Sequence, residues 1–384
     1  MKILHVLPTL DPKAGGPLEG VRQRGLRLGQ MGHFVEVVTL DDQREPFVAE
    51  FPLKVHALGP SSGGYRYNSS LSAWLRRNAR NYDAVIVNGL WQYSGFGTWR
   101  ALRGAGVPYF VFTHGMLDPW FKYKYPFKHF KKWLYWPWAE YRVLRDARAV
   151  LFTSEEERIA ARRSFWLYRA NEKVVAYGTN SPPTDAVLLR EQFFAAHPEL
   201  RGRRLVLFLG RIHEKKGCNL LIEAFSRVAS ADPLLHLIFV GPDKMGYEAT
   251  LKSLALKQGV ADRVSWLGML QGSAKWAAFY ASEIFVLPSH QENFGIAVAE
   301  ALACALPVLI SNKVNIWREI EQREAGYVGA DSIEGTESNL RRWLALSDEA
   351  RAQMRLRAES TFRQLFTIDA MCTSLLDVIK LSNE

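Results

Sequence analysis

The 384-residue chain has only three cysteines, Cys218, Cys304 and Cys372, widely scattered and without metal-ligand spacing. An odd, dispersed set argues against a disulfide framework and for a reducing compartment. No apolar run approaches the eighteen or so residues needed to span a bilayer. The apolar stretch from Met1 to Leu10 is too short for a secretion signal and reads as a first β-strand. A cytoplasmic protein is expected, not an integral membrane one. No Asp-x-Asp pair occurs, so the usual carboxylate platform for a metal-bound diphosphate is missing, and no metal is expected. The dinucleotide fingerprint is missing too, since the early glycines fall at 15, 16 and 20 after a long loop. That weakens a nicotinamide-cofactor reading in which Asp41 or Asp42 would hold the ribose.

Apolar residues make up 48% of the chain and no low-complexity tract interrupts it, so the length suits two packed domains. Charge is distributed unevenly. Residues 1–183 hold 26 Lys and Arg against 15 Asp and Glu, whereas residues 184–384 hold 23 against 24. The whole excess of +10 therefore lies in the first half, which implies an anionic partner for one domain: nucleic acid, acidic lipid or a phosphorylated substrate.

Short apolar runs at 2–10, 33–40, 84–90, 109–115 and 149–154 read as strands, each ending in small or polar residues and alternating with helical stretches. A second series, at 204–210, 235–241, 264–268, 284–289 and 307–311, follows the proline-containing segment Asn180–Thr184. Such alternation predicts parallel, doubly wound sheets that bind ligands at the carboxyl ends of their strands. The expected architecture is α/β, with two Rossmann-like domains facing across a cleft. The domains are residues 1–183 and 184–365, with a C-terminal helix at about 366–384.

Two segments of the second domain carry chemistry. Residues 289–311 place Glu292 and Glu300 eight positions apart, one on the loop after a strand and one two turns into the helix Ile296–Ala305. The amides of Asn293, Phe294, Gly295 and Ile296 open that helix and favour an anion. Two acids beside such a turn suit a ligand with many hydroxyls and a phosphate. In the first strand's exit loop, Arg211 and Lys216 flank the start of the helix Cys218–Ala229. A guanidinium and an ammonium at a helix N-terminus form a clamp for a diphosphate. In the first domain, Gly15 and Gly16 precede a helix, and His114 follows a strand in Thr113–Trp120. Ser154 with Glu157 is a capping box, a purely structural feature.

These segments resemble the E-x7-E and G-R-x-x-x-x-K-G signatures of retaining glycosyltransferases of family 4, which have the GT-B fold. The resemblance covers most of the chain and implies a nucleotide-sugar donor used as co-substrate, with no other cofactor. It implies that Arg211 and Lys216 hold the donor diphosphate, that Glu300 binds ribose, and that Glu292 with Phe294 and Gly295 orients the sugar. It also implies that Gly15 and Gly16 contact the diphosphate, that His114 approaches the sugar, and that the C-terminal helix crosses back to the first domain. Domain closure would assemble such a site. Retention is implied by the family alone. The family's N-G-V-D turn is replaced here by Tyr177-Gly-Thr-Asn180, which puts contacts of that turn in doubt. A sugar-nucleotide epimerase of the same fold, or an inactive sugar-nucleotide-binding protein, remains the alternative.

Residues 119–138 contain ten aromatics, five lysines and no acid. A packed helix with its lysines outward is one reading, and a stacking platform for single-stranded nucleic acid is another. The donor-site motifs disfavour nucleic acid. The preferred expectation is peripheral contact with an anionic membrane, at the inner face of the cell membrane, and a lipid-linked acceptor as in bacterial surface polysaccharide assembly.

Overall fold

A computed structural model describes residues 1–383. Glu384, the end of the expected C-terminal helix, lies outside the described residues, as do the side chains of Ala14, Phe121 and Asn383. The chain divides into two compact units, Met1–Gly178 with Ile368–Glu384, and Thr179–Thr367. Pro183 belongs to the second unit, where its carbonyl accepts a 2.8 Å hydrogen bond from Tyr280 Oη.

The first unit is built on seven parallel strands in the order β3-β2-β1-β4-β5-β6-β7. They are β1 Lys2–Leu7, β2 Phe34–Thr39, β3 Lys54–Ala57, β4 Ala84–Asn88, β5 Tyr109–Phe112, β6 Ala149–Phe152 and β7 Glu172–Val174. Ile3, Leu4, Val6, Val85, Ile86 and Val87 are fully buried, because the central strands are covered on both faces and read as near-continuous apolar runs. The expected strands match the five inner ones, β1, β2, β4, β5 and β6, and the edge strands β3 and β7 come in addition. The chain order reverses between β1 and β4, which creates a crevice at their carboxyl ends.

Helix α1, Gly16–Gln30, follows β1. Tyr177 packs against it at Gly20, where a Cβ would meet the phenol oxygen at 2.0 Å. The residue that departs from the family turn therefore has a packing role within the first unit. The loop before α1 is tied to β2 by Asp41. Its carboxylate accepts from Leu10 N at 2.6 Å, Thr39 Oγ1 at 2.7 Å, Thr9 Oγ1 at 2.8 Å and Arg66 at 2.9 Å. Asp41 is thereby committed to the fold and is not offered to a ribose. The C-terminal helix Ile368–Asn383 returns to this unit: Asp369 pairs with Arg27 on α1, and Ser374 Oγ accepts from Ala176 N at 3.0 Å.

Four short helices matter for the sites in this unit: α2 Trp120–Lys124, α3 Pro126–Tyr135 and α4 Glu155–Ala161, besides α1. Ser154 caps α4 by accepting from Glu157 N at 3.1 Å. The reciprocal half of the expected capping box does not form. Glu157 instead accepts from Thr113 Oγ1 and Gly115 N, both at 2.6 Å, and from Thr153 N at 2.7 Å. A local reading of Ser154–Glu157 was incomplete because the partners on the His114 turn lie some forty residues away in sequence.

The second unit has six parallel strands in the order β10-β9-β8-β11-β12-β13. They are β8 Arg204–Leu209, β9 Leu235–Val240, β10 Val264–Trp266, β11 Ile284–Leu287, β12 Val308–Ser311 and β13 Gly326–Gly329. Five were expected, and the edge strand β13 is again the addition. Helices α5 Cys218–Val228, α6 Gly272–Ala281 and α7 Ile296–Ala303 carry its site. Here the order reverses between β8 and β11.

Candidate functional site

The carboxyl ends of β8 and β11 bring together the two motifs of the second unit. From β8 the chain passes through Gly210 and the exposed Arg211 into a single 3-10 turn, Glu214–Lys216, that precedes α5. His213 caps this turn, its Nδ1 accepting from Lys215 N at 3.0 Å. Gly217 then takes a left-handed conformation, φ 68°, with its Cα against the Pro288 carbonyl at the end of β11. A Cβ there would lie 2.1 Å from that oxygen, so only glycine permits the approach. Two further bonds fasten the loops: Lys215 O accepts from His290 N at 2.9 Å and from Ser289 Oγ at 3.0 Å.

After β11 the glutamate loop is pinned on its other side. Glu292 N donates to Lys313 O at 2.9 Å and Asn315 N donates to Glu292 O at 3.0 Å. Asn293, Phe294 and Gly295 turn the chain into α7, which begins at Ile296. Phe294 is buried, edge-on to Phe366. Glu300 projects from the second turn of α7 and is largely buried.

Both acidic side chains contact lysines. Glu292 Oε2 touches Lys216 Nζ, and Glu300 Oε1 accepts from Lys275 Nζ on α6 at 2.6 Å. Burial, Lys215 and Arg211 all press the pKa of Lys216 below the ordinary lysine value. The Glu292 carboxylate in contact opposes this, and at such close range it keeps the proton on the ammonium. The ligand-free site is therefore an alternation of fixed charges: Arg211, Lys216 with Glu292, and Lys275 with Glu300. A diphosphate attracts the first two cations, and hydroxyl donors suit the carboxylates. Lys275 escaped the sequence reading because it sits in an ordinary helix with no motif around it. Its position opposite Glu300 depends on the α6–α7 arrangement.

In the first unit, Gly15 and Gly16 enter α1 beyond β1, and His114 follows β5. His114 has φ 49° in a turn whose next amide, Gly115 N, is held by Glu157. Its ring stacks on Phe112 with centroids 5.3 Å apart, and Nε2 lies 3.4 Å from Asn88 Oδ1. Asn88 Nδ2 in turn donates to His5 Nδ1 at 3.1 Å. In this arrangement the Asn88 oxygen accepts the Nε2 proton of His114. Arg24, fully buried on α1, stacks over the other ring of the group, Phe112, at 4.7 Å. Burial, and then the Arg24 charge, push the His114 pKa down to about 3. The imidazole is neutral at any working pH, so it can exchange hydrogen bonds but does not serve as an acid. Asn88 and Arg24 carry no motif and escape the sequence reading, and Glu157 is read there only as a capping residue.

Helix α3 is arranged inversely to an ordinary surface helix. Phe127, Phe130 and Leu134 are 87%, 58% and 52% exposed, and Trp138 beyond the helix is 69% exposed. Lys132 faces inward, its Nζ 4.5 Å from the centre of the Trp91 ring. The packing expected in the reading of a packed helix with its lysines outward is thus overturned, because the helix exposes its aromatics. The outward placement of the lysines holds for Lys122, Lys124, Lys128 and Lys131, which are exposed, and fails for Lys132, which is partly buried. Among the described residues no helix is long and apolar enough to cross a membrane.

Comparison with known proteins gives these domains a family. Residues 190–361 match the group 1 glycosyl transferases, and residues 15–178 match the glycosyl transferase 4-like domain. Among relatives, mannosylfructose-phosphate synthase of Agrobacterium fabrum is 25% identical over 80% of this chain and 73% of its own length. The D-inositol 3-phosphate glycosyltransferase of Gordonia bronchialis is 34% identical over 44% of this chain and 39% of its own. In fold, HepE of Anabaena, solved with UDP, matches over the full length of both chains with a TM-score of 0.79 at 19% identity. Sucrose-phosphate synthase of Thermosynechococcus elongatus matches with a TM-score of 0.75 at 22% identity, over 99% of this chain and 98% of that one. The chain carries group 1 and 4-like glycosyltransferase domains in a GT-B fold.

The Lys275–Glu300 pair yields a direct test. Lys275→Met leaves a buried carboxylate without its cation, and the ligand-free protein should lose about 1–3 kcal/mol of stability. Chemical denaturation measures this; an unchanged midpoint would show that Glu300 does not depend on Lys275.

Proposed function

We propose, on the premise of a chain carrying both glycosyltransferase domains, that it transfers a hexosyl or related sugar from a nucleotide-sugar donor, with retention, to a lipid-linked saccharide acceptor. The setting would be exopolysaccharide, capsule or O-antigen synthesis, at the cytoplasmic face of the cell membrane. The donor half of this reading is supported by the family matches and by HepE, whose structures hold UDP and UDP-glucose.

In this reading the second unit is the donor domain. Arg211 and Lys216 take up the charge left on the diphosphate when the bond from the sugar's anomeric carbon to its phosphate oxygen breaks. Such fixed cations stabilise charge where it develops, without reorganisation. Glu300 holds the ribose hydroxyls, and Glu292, with the turn Asn293–Ile296, orients the sugar ring. Donor binding would replace the Lys216–Glu292 and Lys275–Glu300 contacts with contacts to diphosphate and hydroxyls. Gly15 and Gly16 lend backbone amides to phosphate, and neutral His114 hydrogen-bonds the sugar. The basic clamp acts in place of a metal ion. The first unit is the acceptor domain.

The observation that carries the acceptor half is the outward aromatic face of α3. Apolar side chains on that face, extended by Tyr123 and Trp138, are flanked by Lys122, Lys124 and Lys131. Exposed aromatics of this kind sit well at a bilayer boundary, and lysines are drawn to anionic headgroups. A second reading, a soluble sugar phosphate as acceptor, is favoured by the names of two relatives, mannosylfructose-phosphate synthase and D-inositol 3-phosphate glycosyltransferase.

Arg211→Ala and Lys216→Ala should each lower the turnover of donor by about a hundredfold or more, with the fold retained. Excess EDTA should leave the wild-type rate unchanged. Nucleotide release from a panel of sugar nucleotides is the readout, and a thermal-shift screen with UDP, GDP, ADP and CMP identifies the base. Mutants as active as the wild type would remove the clamp, and loss with EDTA restored by Mg²⁺ would restore a metal.

The wild type should cosediment with vesicles containing anionic lipid, less so as salt rises. Lys122→Gln, Lys124→Gln and Lys131→Gln together should weaken binding by up to about 3 kcal/mol, since each lysine near such a surface contributes about 1 kcal/mol. A wild type that stays in the supernatant at low salt would favour the soluble acceptor.

A further inference from the structure

Beneath the outward aromatic face of α3 lies a cavity of about 60 Å³ within the first unit. Met116 and Phe165 form its apolar walls, and Asp118, Tyr125, Lys128, His129, Lys132 and Ser164 supply its polar ones. One water needs roughly 10–15 Å³ of such volume, so the space holds about four to six water-sized atoms. That is room for a phosphoryl group.

The chemistry of the walls agrees with the size. Lys128, exposed, and Lys132, partly buried, stand four residues apart on the side of one helix that borders the cavity, where like charges repel. Burial, and then Lys128, press the pKa of Lys132 down, while the buried carboxylate of Glu140 draws it back. Glu140 itself accepts from Trp91 N at 2.7 Å, beneath the ring on which Lys132 rests, and burial pushes its pKa up to about 7. It offsets only part of the positive charge. Asp118, whose carboxylate accepts from Trp120 N at 2.8 Å, also borders the cavity and brings a negative charge to the wall that carries Lys128 and Lys132. His129 is fixed by stacking on Phe165, 4.6 Å between centroids, and presents an imidazole edge to the same space. Lys132 is held from within by Trp91 and Glu140, and Lys128 reaches the same space from its exposed side, so two ammoniums, an imidazole edge and a phenol border a space of phosphoryl size.

We propose that this cavity is a phosphoryl-binding site, gripped by Lys128 and Lys132 with His129 and Tyr125 as hydrogen-bonding walls. It rests on the acceptor reading of the first unit and specifies it: the acceptor carries a phosphoryl group that seats under α3. Both a lipid-linked phosphate and a free sugar phosphate offer that group. In the lipid case the chain leaving the phosphate lies along the aromatic face.

The test uses the full chain in an Arg211→Ala/Lys216→Ala background, which removes the proposed phosphate clamp of the second unit. Calorimetry with inorganic phosphate at constant ionic strength gives the affinity, and phosphatidylcholine vesicles containing phosphatidic acid give the lipid arm. Lys128→Gln/Lys132→Gln should weaken phosphate binding by about tenfold or more. Lys128→Arg/Lys132→Arg, which keeps both charges, should stay within a few-fold of the parent. The triple Gln variant at Lys122, Lys124 and Lys131 should leave phosphate affinity unchanged. If the double Gln variant does not fold, the exposed Lys128→Gln alone should still weaken binding. Should free phosphate fail to bind while vesicle binding depends on Lys128 and Lys132, the site takes its phosphoryl group from lipid. Equal affinity in parent and double Gln variant, or dependence on neither lysine in both arms, overturns the proposal. These readouts need no turnover. A wild type that releases no nucleotide from any donor would sink the transferase reading while leaving the pocket standing.

Discussion

The contact of Gly217 with the Pro288 carbonyl is the constraint on which the second unit's site depends. It joins the exit of β8 to the exit of β11 at the one place where the strand order reverses. A side chain at 217 would push the 3-10 turn of Glu214–Lys216 away from the loop of Ser289 to Glu292, by more than the backbone bonds from His290 and Ser289 could tolerate. With glycine, Lys216 and Glu292 meet although 76 residues separate them. The charges of the site are thus positioned by backbone packing, and their own attraction is secondary. Had the order been the reverse, ligand binding would have to break the element that holds the loops together. Here Lys216 and Glu292 can part while Gly217 and Pro288 stay in place.

The two units treat charge differently. In the second unit every acid of the site has a cation against it, so an empty site is electrically quiet and a ligand exchanges one set of partners for another. In the first unit, among the described residues, Lys122, Lys124, Lys128 and Lys131 pair with no carboxylate. Many of that half's arginines are paired: Arg145 with Asp146, Arg158 with Glu155 and Glu172, and Arg162 with Glu172. The positive excess of the first half is therefore concentrated around α2 and α3 rather than spread as a general surface property.

Interior strands were legible because burial on both faces demands runs such as Ala84–Asn88 and Ile284–Leu287. Of the four edge strands only Val264–Trp266 was read, and the other three were not. Lys54–Ala57, Glu172–Val174 and Gly326–Gly329 are half-solvated, so they tolerate lysine, glutamate and glycine and lose the apolar signature. The motif residues of the site could be read because a strand end followed by a helix start is a local pattern. Their partners could not. Glu157 resembles a capping residue in any window of four, and only the fold brings it to Thr113 and Gly115. Lys275 and Asn88 are equally ordinary in sequence.

The inversion of α3 shows most plainly what sequence periodicity leaves open. Its pattern has an aromatic face and a lysine face, and the hydrophobic effect predicts which one turns inward. That expectation holds when the inner surface is apolar. Here the inner surface already contains a buried carboxylate, Glu140, and the face of Trp91. Both attract an ammonium: one through its charge, the other through the negative face of its ring. Lys132 fits that lining better than Phe127 or Phe130 would, and its neighbour one turn back, Lys128, is carried to the same cavity. Once Lys132 turns inward, helical geometry leaves Phe127, Phe130 and Leu134 no position but outside. The exposed aromatic face and the cationic cavity are consequences of a single rotation of one helix, set by the polarity of what lies beneath it.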